Sequence, residues 1–223
     1  MTEVSVGDRP QLADVAAAYV RERITSGVLV AGDAVRPETI AQELQISTTP
    51  AREALQSLRS EGFLELAPRR GFRVTKVTGD DIRDLFFINA MAAGELAARA
   101  TIKGSESLVE RLQSIQKQLH QAAERHDAAE LELLNHRFHR EINLAADSSK
   151  LADVIQLVSR WVPPHFYTSI EGWSATTIHD HQQLIDAVAR KDGESARRLM
   201  QEHMRRSGEQ LAEYVDERQR AAD

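Results

Sequence analysis

Three histidines and one asparagine are spaced so that separate helices could bring them together. Asn135 and His139 are four residues apart, which puts both on one helix face. His181 opens a later helical stretch, His181-Gln182-Gln183-Leu184-Ile185, and His203 falls in the last one. Imidazoles from three helices, with an amide oxygen as a fourth ligand, could hold a divalent transition metal of the zinc, nickel, iron or manganese type. The competing reading is plainer. The chain has 8 histidines, and a lone histidine is more often a surface or hydrogen-bonded core residue, so spacing alone leaves both readings open.

A second constellation lies in Ser47–Val74, STTPAREALQSLRSEGFLELAPRRGFRV. Ser and Thr at its start suit a helix cap, and Pro50 is tolerated in a first turn. Leu55 and Leu58 share a face with Ala51, Ala54 and Phe63, whereas Arg52, Gln56 and Arg59 lie off it, and Gly62 ends the helix. Two strand-like runs follow, Phe63–Leu66 and Phe72–Val74, joined by Pro68-Arg69-Arg70-Gly71. Thr48, Thr49 and Arg52 in the first turn would meet base edges and phosphates in a major groove, Arg pairing two-pronged with guanine. Arg69 and Arg70, on a tip that Gly71 lets turn sharply, would reach the adjacent minor groove. Arg36, ahead of the preceding helix, joins these candidate DNA contacts. The alternative is that Arg52 only pairs with Glu53 or another carboxylate and the wing is only a hairpin.

The elements needed to position these groups follow from periodicity. Pro10–Ser26 reads as a helix with Leu12, Val15, Ala16, Tyr19, Val20 and Ile24 at helical spacing. A short extended connection, Val28–Val35, leads to a second helix at Glu38–Leu44 with Pro37 at its start. Helix, strand, helix, turn, helix and two-stranded wing is the winged helix-turn-helix order. From Thr78, an N-cap with Asp81 at the third helical position, the chain is nearly all helical. Helices are expected at about 80–101, 105–126, 128–146, 150–162, 178–191 and 193–217, with breaks at Gly104, Asp147-Ser148-Ser149, Pro163-Pro164 and Gly193. Residues 163–177 are the least readable, and their aromatics either line a cavity or only pack. The tail after Glu217 is polar and is expected to fray. The fold class is therefore mainly α: a winged helix-turn-helix domain over 1–77 and an antiparallel bundle of about six helices over 78–223.

Composition is compatible with DNA binding once the charge is divided. The net charge is −6. Yet Ser47–Lys76 holds six basic residues (Arg52, Arg59, Arg69, Arg70, Arg73, Lys76) against three acidic ones (Glu53, Glu61, Glu65), so the excess acid lies elsewhere. The absence of cysteine rules out disulfides and thiolate metal sites. The first residues hold no apolar run of signal-peptide length, and no unbroken run of about 18 apolar residues occurs. A cytoplasmic protein with no membrane partner is expected.

With these residues in view, Ala41–Val74 resembles the winged helix-turn-helix of the GntR superfamily of bacterial transcription regulators. The resemblance is carried by Ile40-Ala41-x-x-Leu44-x-Ile46-Ser47, Thr49-Pro50-x-Arg52-Glu53-Ala54-Leu55-x-x-Leu58, Glu61-Gly62-Phe63-Leu64 and Arg70-Gly71-Phe72-x-Val74. Thr48 stands where the family usually has an operator-contacting Arg. The C-terminal part resembles the FCD ligand-binding domain of the FadR-like branch, through Asn135-x-x-Phe138-His139, His181-x-x-Leu184-Ile185-x-Ala187 and Ala196-Arg197-x-x-Met200-x-x-His203. The resemblance implies a metal held by Asn135, His139, His181 and His203, with Asn135 replacing the usual Asp and removing one negative charge. Glu132, on nearly the same face, is a possible substitute ligand. It further implies a homodimer on a palindromic double-stranded operator, a small organic acid effector at or near the metal, and repression. Asn89, where relatives usually carry Arg, and Arg99 are the candidate effector contacts. A metalloregulator is the alternative; a metal-dependent hydrolase is disfavoured because HExxH is absent.

Overall fold

The computed structural model describes residues 11–67, 71–104 and 106–222. The chain divides into two compact units, Met1–Lys76 and Val77–Asp223.

In the first unit, α1 (Leu12–Thr25), β1 (Ala34–Val35), α2 (Pro37–Leu44), α3 (Thr48–Ser60), β2 (Leu64–Ala67) and β3 (Gly71–Val74) follow one another. The buried face of α3, Ala51, Ala54, Leu55 and Leu58, packs against α1, whose inner residues are Ala16, Ala17 and Val20. Leu12 and Val15 keep the helical spacing but are exposed, so the apolar stripe of α1 is narrower than its sequence pattern. Ser47 stands extended at the N-cap of α3, yet its hydroxyl makes no capping hydrogen bond. The three strands form an antiparallel sheet in the order β1-β3-β2, with Leu66 opposite Phe72 and Glu65 opposite Arg73. Phe72 and Val74 are buried, and on the opposite face Arg73 donates to Glu65 at 2.5 Å. Gly71 has a φ of 82°, a conformation that favours glycine over any residue with a Cβ.

The second unit is a bundle of α4 (Gly79–Lys103), α5 (Glu106–Glu124), α6 (Ala128–Ala146), α7 (Ser149–Ser159), α8 (Trp173–Ala189) and α9 (Gly193–Ala222), with a 3-10 turn at Tyr167–Ser169. The Thr78–Asp81 capping box starts α4: the Asp81 amide donates to Thr78 Oγ1, and the Thr78 amide donates back to Asp81 Oδ2 at 2.8 Å. Helix α4 is the centre of the bundle and runs antiparallel to α9. Small residues let the two approach closely. A Cβ on Gly94 would lie 2.6 Å from Gln201 Cγ, and one on Gly208 would lie 2.3 Å from Phe86 Cβ. The most apolar 18-residue window of α4 has a mean hydropathy of 1.2, enough on average to cross a membrane, although no unbroken apolar run occurs. Since 61% of that window is buried, its apolarity serves the core.

Two expectations are corrected here. Helix α8 begins at Trp173, five residues before the anticipated start at Ile178. Trp173 is buried in the core, and Gly172, with a φ of 75°, turns the chain into the helix. The tail after Glu217 does not fray: α9 continues to Ala222. It is held because Tyr214 and Val215 pack on the Ile82–Phe86 cluster and Gln219 Nε2 donates to the Val77 carbonyl.

Candidate functional site

The histidine set converges. His139 on α6, His181 on α8 and His203 on α9 each offer a ring nitrogen, and these atoms lie within 4.8 Å of one another. Ring centroids are 5.1 Å apart for His139–His181, 5.2 Å for His139–His203 and 5.4 Å for His181–His203. Phe138, fully buried, stacks on His181 at 3.8 Å with 4° between the planes, which fixes that ring. Asn135, one turn before His139, lines the same cavity as His139 and His203.

The polar atoms fit a metal. Asn135 Oδ1, His139 Nδ1 and both ring nitrogens of His181 are buried without a hydrogen-bond partner among the described residues. An unsatisfied buried polar atom costs about 1–3 kcal/mol, so such a group of atoms needs a physical cause, and a cation could be ligated by Asn135 Oδ1 and by one nitrogen of each ring. Burial pushes the His139 ring well below its ordinary pKa, helped by His203 and His136. His181 is lowered by burial too, with His139 and His203 adding to it. Both rings are therefore neutral at pH 7, the state that ligates.

Asp180, which the sequence reading passed over, completes the arrangement. Its Oδ2 lies 3.0 Å from His203 Nδ1 and also accepts from Arg206 Nη1 at 2.6 Å. Burial would raise the Asp180 pKa, but the hydrogen bonds from His203 and Arg206 outweigh it and hold the group below its usual value. An ionised carboxylate only accepts hydrogen bonds, so His203 Nδ1 carries a proton in this contact and Nε2 is the nitrogen left for a metal. The only sequence signal was adjacency to His181. Neighbouring helical residues diverge by about 100°, so Asp180 turns away from His181 and reaches α9. Glu132 is not drawn into the triad: it pairs with His165 Nδ1 at 2.7 Å.

A cavity of about 320 Å³ opens beside the triad, at the lower end of the range for ligand pockets, about 300–1,000 Å³. Asn89 lines it, with Nδ2 donating to Met204 Sδ at 3.5 Å. Arg99 does not. It is exposed and donates to Glu95 at 2.7 Å, which also holds Arg197, because its position on α4 points away from the cavity wall. The aromatics of the 163–177 stretch divide: Tyr167 and Trp173 line the cavity, and Phe166 packs with Ile82 and Leu211. Burial raises the Tyr167 hydroxyl well above its ordinary pKa, so it faces the cavity as a neutral phenol.

In the first unit, Thr48, Thr49, Arg52, Glu53 and Gln56 line a shallow groove along α3. Thr48, Thr49 and Arg52 are exposed, and so is Arg36, at the N-cap of α2. Arg52 Nη2 lies 3.5 Å from Glu38 Oε1, both side chains more than half exposed; pairs of this kind contribute at most about 1 kcal/mol and exchange readily for a phosphate. Arg69 and Arg70 lie outside the described residues; Gly71 opens β3 directly after them.

A winged helix-turn-helix with an exposed, cationic recognition helix defines a DNA-reading protein, and the helical unit adds a ligand-sized cavity. Comparison with known proteins gives the family. Residues 12–74 match the bacterial regulatory proteins of the gntR family, and residues 84–206 match the FCD domain. The chain belongs to that family: it is a DNA-binding transcriptional regulator of the GntR type with an FCD domain, not an enzyme. It is 24% identical over 200 residues to the HTH-type transcriptional repressor RspR of Escherichia coli, covering 89% of this chain and 88% of that protein. It is 26% identical over 209 residues to the Exu regulon transcriptional regulator of Escherichia coli, covering 84% and 80%. The solved structure of E. coli McbR/YncC superposes with a TM-score of 0.71 at 24% identity, covering 92% of this chain and 99% of that one, which establishes a shared fold.

Proposed function

We propose that this regulator is a homodimeric repressor of the bacterial cytoplasm that reads a palindromic operator with Arg36, Thr48, Thr49, Arg52 and the wing residues Arg69, Arg70 and Gly71. A small carboxylate effector, bound at or beside a divalent metal held by Asn135, His139, His181 and His203, modulates its affinity for that operator. The observation that carries this reading is the meeting of three histidines within 4.8 Å beside a cavity, with unpartnered buried ring nitrogens. Repression is supported by the likeness to RspR, which is described as a repressor. A metal in this shell would supply positive charge for an effector carboxylate. The chain's own part is to hold the His139 and His181 rings neutral and to orient His203 through Asp180. Two recognition helices related by a two-fold axis would match a palindromic site, and the effector would act through its different affinities for the DNA-competent and DNA-released states.

Operator binding by fluorescence anisotropy at fixed salt tests the reading, with metal-loaded and chelator-treated protein. Metal-free protein is expected to bind operator as before and to lose its response to effector. If metal removal itself changes operator affinity, the metal is the signal and the chain is a metalloregulator. Equal affinity for operator and unrelated DNA would sink the DNA-reading assignment.

A further inference from the structure

We infer that the effector of this cavity is a monocarboxylate with an apolar body, and that a second acid group is selected against. This rests on the effector reading above and narrows it to a chemical class.

By area the cavity wall is mostly apolar, built largely by Phe86, Val162, Pro163, Tyr167, Trp173 and Met204. Asn89, Asn135, His139 and His203 belong to it on the triad side, and Ser159, Thr168 and Ser207 add neutral hydroxyls. No lysine or arginine is among the lining residues, although every lysine and arginine of residues 77–223 is described. Arg137, Arg140, Arg160 and Arg205 each adjoin a lining residue in sequence without lining the cavity themselves, and Arg206 donates to Asp180. The carboxylate in the wall is Glu132, which pairs with the exposed His165.

An acid group moved from water to an apolar wall without a cation loses its hydration with nothing in return. One carboxylate escapes this penalty at the histidine end, where an all-neutral ligand set leaves the positive charge of a bound divalent ion uncompensated. A second carboxylate would be desolvated against Tyr167, Trp173 and Met204 or repelled beside Glu132, and the neutral hydroxyls of Ser159, Thr168 and Ser207 offer it no charge in return. An apolar body gains in the same space by leaving water. The walls therefore reward a carbon skeleton and penalise a second charge.

Calorimetric titration of the full-length, zinc-saturated protein with two matched pairs tests this: pentanoate against glutarate and benzoate against terephthalate, with acetate as the bare head group. In at least one pair the monoacid is expected to bind about tenfold or more tighter than both its diacid and acetate. Diacids binding as tightly as monoacids, acetate matching both monoacids, or no monoacid binding at all would each overturn the inference. Operator affinity measured in the same samples separates it from the reading it rests on. Glutarate that binds and shifts operator affinity defeats the specificity inference alone. Pentanoate that binds tightly without moving operator affinity defeats the effector role and leaves the specificity standing.

Discussion

His203 Nδ1 and Asp180 Oδ2 lie 3.0 Å apart between α9 and α8, so a carboxylate serves the histidine cluster from behind one ring rather than from within it. The same oxygen accepts from Arg206, which keeps Asp180 ionised and the His203 proton on Nδ1. Asp180→Asn is expected to weaken zinc binding by about 10–100-fold, the usual effect of removing a carboxylate behind a metal-bound imidazole. Chelator competition measures the affinity, and nitrogen NMR of the His203 ring reports the tautomer. Unchanged affinity with an unchanged tautomer would remove Asp180 from the site.

His139→Ala and His181→Ala should each lower the metal content of the purified protein, read by elemental analysis. The two differ in side effects. His181 is wholly buried and stacked on Phe138, so its truncation also leaves a cavity and should reduce thermal stability. His139 keeps part of its surface open and should cost less stability. Full metal occupancy in both variants would refute the ligand set.

Arg52→Ala is expected to weaken specific operator binding by about 1–3 kcal/mol if Arg52 reads a base. Its partner in the free protein, Glu38, is exposed and 3.5 Å away, so the loss should come from DNA contact rather than from a disturbed fold. Anisotropy at one salt concentration, with circular dichroism as the folding control, decides it; an unaltered affinity counts against this register of the recognition helix.

The Thr78–Asp81 box gives a pH-dependent stability. Hydrogen bonds from the Thr78 amide and hydroxyl hold the Asp81 carboxyl below its ordinary value. A depressed folded-state pKa stabilises above the unfolded value, near 3.9, and the gain is lost as pH falls through the folded pKa. Asp81→Asn should therefore be less stable than the parent at pH 7, with the gap closing on acidification below about pH 4. Urea unfolding at both pH values measures this, and a gap that persists in acid would contradict it.

The sequence by itself determined most of the helices and the wing, and through the family resemblance it pointed to the candidate metal ligands. Those are local properties: an i, i+4 pair such as Asn135 and His139 and a helix-stopping Gly62 act through neighbours along the chain. Helix α6 was legible to the residue, whereas α8 was not, because its start is set by Trp173 entering the core, a contact with other helices. Tertiary structure alone decided that His139, His181 and His203 meet, that Asp180 reaches across to His203, and that Arg99 faces away from the cavity. It also decided that, among the described residues, no lysine or arginine lines the cavity. Each of these depends on how helices distant in sequence are rotated against one another, and the close α4–α9 packing that sets this rotation depends on contacts such as Gly208 on Phe86. Spacing along a chain fixes the face of a helix on which a residue lies; only packing fixes what that face meets.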